Sequence, residues 1–89
     1  MATNFSNMCE ILGKLYLQYQ DEDGFSDFIE YNDIGLPLAY LIAEGICEPT
    51  QDGEKYVLET WDLFLAALEI KDTGFTSLDE ILNFKSNEK

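Results

Sequence analysis

The sequence predicts an all-α fold: a compact single-domain bundle of about five helices around a central apolar helix, Leu36–Glu44. Three observations predict it. Apolar residues recur at i, i+3, i+4 and i+7 over long stretches, which places them on one side of a helix. Capping residues and glycines punctuate those stretches where helices should begin and end. No stretch of useful length alternates apolar and polar residues as a half-buried strand does.

Residues 1–5 and the polar tail 85–89 are expected to be loose. A first helix is expected over Asn7–Gln20, where Met8, Ile11, Leu12, Leu15, Tyr16 and Tyr19 keep helical spacing. Asn7 and Glu10 have the offset of a capping box, and Glu10 with Lys14 makes an i, i+4 pair. Asp21-Glu22-Asp23-Gly24 breaks this helix. Its acids suit the positive end of a short second helix over residues 23–33, carried by Phe25, Phe28 and Ile29. Gly35 reads as the stop of that helix.

The run Ile34–Ile46 holds one ionisable carboxylate, Glu44, and no positive charge. A helix apolar nearly all round belongs inside a protein or a bilayer. Thirteen residues fall short of the ~20 that span a membrane, so the run is expected as the buried centre of the bundle. Pro37 suits its first turn, and Gly45 the position just past its end. Thr50 is expected to cap a long fourth helix with Val57, Leu58, Trp61, Phe64, Leu65 and Leu68 on its apolar side and Glu59, Asp62 and Glu69 on another. Trp61 is therefore expected in the core. Lys71-Asp72-Thr73-Gly74 forms a turn, after which Thr76 or Ser77 starts the last helix. Ser77 and Glu80 have capping-box spacing there, and Leu78, Ile81, Leu82 and Phe84 form the apolar side.

Composition narrows the function classes. With 46% of its residues hydrophobic and 13% aromatic, the 89-residue chain can build a core and is not expected to be disordered. Against 18 Asp and Glu stand 5 Lys, with no Arg and no His, for a net charge of −13. Such a charge strains the compact state by self-repulsion, keeps it soluble and steers it toward positive surfaces. Direct nucleic-acid binding needs Lys and Arg to displace counterions from phosphates, and none is expected. No membrane is expected as a partner either, since anionic lipid repels the same charge. The expected partner is a protein with a basic surface. No positively charged, apolar leader opens the chain, which predicts a cytoplasmic protein. Cys9 and Cys47 fall in no CxxC or metal-ligand spacing and are expected as buried free thiols.

Without His the chain lacks the usual general base and the commonest imidazole ligand, and it has no Gly-rich phosphate loop. It is read as non-enzymatic, with no catalytic residue, no cofactor and no metal. Asp21-Glu22-Asp23-Gly24 followed by Glu30 resembles part of an EF-hand loop, with Asp21 and Asp23 at the third and fifth positions and Glu30 at the bidentate twelfth. Tyr19 stands at the first position, where an acid is needed, and Ser26 at the usually apolar eighth. The resemblance implies at most a degenerate calcium-binding protein. Across Ala43–Val57, Gly-Ile-Cys-Glu-Pro-Thr followed by Asp-Gly-Glu-Lys is similar to the turn into a capped helix in winged-helix regulators. Recognition helices of that class read bases with cationic or amide side chains, whereas Thr50–Ile70 carries one Lys against five acids. That resemblance implies no DNA binding here.

Asp21, Glu22, Asp23, Asp27, Glu30 and Asp33 put six carboxylates into 13 residues with no compensating base, and Tyr19 and Tyr31 flank them. These eight are the candidate partner-binding residues, aromatic side chains being enriched at interfaces. The expected function is that of a small acidic interaction protein, a regulator, adaptor or inhibitor that docks on a basic partner surface. Two alternatives stand beside it. One is a DNA-mimic inhibitor of a nucleic-acid-binding protein, by analogy of size and composition with small acidic DNA mimics. The other is the degenerate EF-hand-like calcium-binding protein.

Overall fold

Five α-helices form the regular structure of the computed structural model, which describes residues 2–18, 26–31 and 34–86. They are α1 (Phe5–Gln18), α2 (Ser26–Tyr31), α3 (Gly35–Ala43), α4 (Gln51–Leu68) and α5 (Leu78–Ser86), with no strand among the described residues. The radius of gyration is 12.2 Å, the size of a folded chain of this length. The predicted all-α bundle is therefore the observed architecture.

Its axis is α1 rather than the apolar run. α1 buries Met8, Cys9, Ile11, Leu12, Gly13 and Leu15 and meets α3, α4 and α5. The apolar run does form a helix, but α3 buries only Gly35, Leu36 and Ala39. Leu38, Tyr40, Leu41 and Ile42 are half-buried, and Ile46 is 67% exposed. The run was expected at the centre, and it lies instead at the flank. A helix packed against two neighbours, α1 and α4, covers one side and leaves the other to water.

Glycines set how closely α3 lies. A Cβ on Gly35 would collide with Thr60 Oγ1 of α4 and come within 2.9 Å of Thr60 Cβ. On α1, a Cβ on Gly13 would stand 3.1 Å from Tyr40 Cα of α3. Gly35 is thus the first residue of α3 and its contact with α4, not the stop of the preceding helix.

Local signals place several helix ends. Thr50 is extended (φ −90°, ψ 167°) and its hydroxyl accepts from Gly53 N–H at 3.1 Å, the expected cap of α4. Ser77 Oγ accepts from Glu80 N–H at 3.2 Å at the start of α5, while the Glu80 carboxylate takes the Thr76 hydroxyl at 2.9 Å. Gly45 (φ 76°) ends α3 as foreseen: its N–H donates to Ile42 O at 3.1 Å and Ile46 N–H to Leu41 O at 3.0 Å, a Schellman pair. α4 ends the same way with Glu69 in the left-handed position (φ 59°), Glu69 N–H bonding Ala66 O and Ile70 N–H bonding Leu65 O.

Two expectations at the N-terminus are corrected. α1 begins at Phe5, two residues early, because Asn4 Oδ1 caps it by accepting from Asn7 N–H at 2.8 Å. Asn7 instead turns its amide toward Phe75 O, 3.5 Å away. Nor are residues 1–5 uniformly loose: Thr3 is 4% exposed, tied to the turn before α5. At the other end the α5 helix includes Lys85 and Ser86, and 87–89 lie outside the described residues.

Val57, Trp61, Phe64 and Leu65 of α4 are buried with Ile29 of α2, and Phe28 sets its ring 5.6 Å from that of Phe64. Leu78 and Ile81 of α5 close the core, and Phe84 packs edge-on against Phe75 at 5.8 Å. Leu58, expected on the buried side of α4, is exposed.

Candidate functional site

A groove of about 190 Å³ opens where the end of α2 and the start of α3 face α4, lined by Tyr31, Ile34, Gly35, Tyr56, Glu59, Thr60 and Leu63. Its floor follows from the helix seam: Gly35 and Thr60 are both buried, the Gly35 backbone lying against the Thr60 side chain where no Cβ intervenes. Its walls are apolar and open to water, with Tyr31 87% exposed, Ile34 59%, Leu63 54% and Tyr56 48%. Single exposed apolar residues are ordinary, whereas here four gather at one groove. Along α4, Asp52, Tyr56, Glu59 and Leu63 follow at intervals of 4, 3 and 4 residues, so acids and apolar residues alternate down one helical face. Lys55 lies beside this row, sharing a shallow hollow with Asp52, Tyr56 and Glu59.

The predicted partner-binding residues are only partly brought to this place. Tyr31 stands in the groove wall, and Glu30, its neighbour in α2, is exposed. Asp27 lies in α2. Asp21, Glu22, Asp23, Asp33 and Tyr19 lie outside the described residues, as does Gly24 of the EF-hand-like segment. Sequence reasoning missed Ile34, Tyr56, Glu59 and Leu63 as one surface. A signal existed: Leu63 falls off the row formed by Val57, Trp61, Phe64, Leu65 and Leu68, so an apolar residue there has no core to fill.

A second polar constellation is structural. The Asp72 carboxylate accepts Thr3 O–H at 2.6 Å, Thr3 N–H at 3.0 Å, Gly74 N–H at 3.0 Å and Trp61 Nε1–H at 3.1 Å. Thr3 Oγ1 in turn accepts Phe75 N–H at 2.8 Å. Burial raises the Asp72 pKa, but the bonds from the Thr3 hydroxyl, the Gly74 and Thr3 N–H groups and the Trp61 indole outweigh it and hold the carboxyl below its ordinary value. Trp61 is in the core as foreseen, and its one polar atom has a partner. The sequence located this turn, but nothing in it linked Asp72 to Thr3.

Cys9 and Cys47 are free, Cys9 buried and Cys47 partly so. Burial, with Glu54 nearby, pushes the Cys9 thiol up to about 11, so it stays a protonated, inert core group at neutral pH. Among the described residues no group of three or more His, Cys, Asp or Glu is arranged to hold a metal ion. No described helix is long and apolar enough to cross a membrane.

Fold and groove together define a small, strongly acidic, all-α protein with an apolar recess on its surface. The chain matches no protein-family model, no curated protein and no solved structure.

Proposed function

We propose that this chain is a non-catalytic interaction protein that docks on a basic surface of a protein partner. The observation that carries the reading is Tyr31: an aromatic side chain from the acidic stretch, nearly fully exposed, in the wall of an open apolar groove. A net charge of −13 supplies the long-range attraction to a cationic surface, and exposed aromatic and aliphatic side chains supply short-range adhesion. The role of the carboxylates is steering and register, since exposed ion pairs contribute little individually.

Net charge and local charge are separable by experiment. Immobilised protein is used to capture the partner from host lysate in three forms: wild type, a variant with Asp21, Glu22, Asp23, Asp27, Glu30 and Asp33 changed to Asn or Gln, and a control with Glu10, Glu44, Glu48, Glu54, Glu69 and Asp79 changed likewise. Both variants lose the same formal charge. The expected result is a salt-sensitive partner held by wild type and control but lost from the first variant. Equal capture by the two variants, or a complex indifferent to salt, overturns the reading.

A further inference from the structure

We infer that the strip Asp52–Tyr56–Glu59–Leu63, with Tyr31 and Ile34 as its far wall, is the seat of a basic amphipathic helix presented by the partner. The inference rests on the proposed function and specifies the partner's docking element.

Charge and spacing choose this occupant. The strip carries apolar and acidic residues in one row at helical intervals, and it is about 16 Å long at a rise of ~1.5 Å per residue, or three turns. A helix laid along α4 meets that whole row, its apolar residues filling the recess above Gly35 and Thr60. Its Lys or Arg residues then stand over Asp52 and Glu59. Among the described residues Lys55 is the one cation lining the hollow with Asp52, Tyr56 and Glu59, and it leaves the balance negative. A second copy of this chain would bring another −13 to the same place, and an anionic membrane would be repelled likewise.

The test is titration of the isotope-labelled full chain with a synthetic helical peptide of Leu and Lys, followed by amide shifts, with oligolysine of equal charge as the comparison. Expected are saturable shifts at Ile34, Gly35, Tyr56, Thr60 and Leu63, and binding about tenfold weaker for Tyr31→Ala combined with Leu63→Ala. Both side chains are more than half exposed, so this variant keeps its fold, which its helicity checks. Glu59→Gln should weaken binding about two- to fivefold at low salt and leave it unchanged near 1 M, where screening is nearly complete. Shifts confined to other faces overturn the inference, as do shifts at these residues on raising the concentration of the protein alone. Equal binding of both probes to wild type and double variant removes the groove assignment but leaves the acidic docking reading standing. Failure of both probes to bind at low salt removes both.

Discussion

Asp72 gathers four donors from three parts of the chain: Thr3 near one end, Trp61 in α4 and Gly74 in its own turn. Hydrogen bonds to a charged acceptor contribute about 1.5–3 kcal/mol, so Asp72→Asn is expected to cost about that much in a denaturant melt at pH 7. The sign of the pH dependence follows from the depressed pKa. Stability from this carboxylate is fully present above the unfolded value of about 3.9 and is lost as pH falls through the lower folded value. The stability gap between wild type and Asp72→Asn should therefore begin to narrow below about pH 4 and go on narrowing as pH falls further. A gap unchanged at pH 3 would contradict the hub. Glu69 offers a change of opposite sign. It holds φ 59° at a Schellman position that Gly45 fills at the end of α3. Glu69→Gly removes the Cβ from a left-handed backbone and should stabilise by about 0.5–1 kcal/mol, readable as a raised Tm.

At the scale of elements, the placement of α3 makes a sharp contrast between its own residues. Leu36→Ala opens a cavity at a fully buried position and is expected to cost about 2–5 kcal/mol. Ile46→Ala, at an open position just past the same helix, should fall within about 0.5 kcal/mol of wild type. Similar costs for the two would restore the apolar run to the centre. The seam between α3 and α4 is tested by Gly35→Ala, which overpacks against Thr60 and should cost about 1–3 kcal/mol. In a double-mutant cycle that cost should shrink on a Thr60→Ala background, because the colliding Oγ1 has gone. The helices were legible in the sequence because a cap such as Thr50 or Ser77 acts within one turn of itself. The groove was legible only at Tyr31. Its other residues come from chain segments that periodicity analyses separately.

For the whole molecule, a net charge of −13 within a 12.2 Å radius of gyration means that most charged neighbours repel. Screening strengthens with salt, the Debye length falling from about 30 Å at 0.01 M to about 8 Å at 0.15 M. The Tm should rise over that interval, and a fall would mean that attractive pairs dominate the surface. The same field that strains the free protein is the one that would draw it to a cationic partner, so a complex should relieve the repulsion and raise the Tm further.

The amino-acid sequence by itself determined where helices form and how several of them end, because i to i+4 bonding, caps and turn glycines draw on residues a few positions apart. It also determined the charge, which needs no fold. Tertiary structure alone decided that α1 is the axis, that Gly35 is a contact rather than a stop, and that Thr3 meets Asp72 across 69 residues of chain. Apolar periodicity says that a face wants cover, but how much neighbouring surface reaches it depends on the packing of all the helices at once. That packing leaves one side of α3 and the wall of Tyr31, Ile34, Tyr56 and Leu63 open to water.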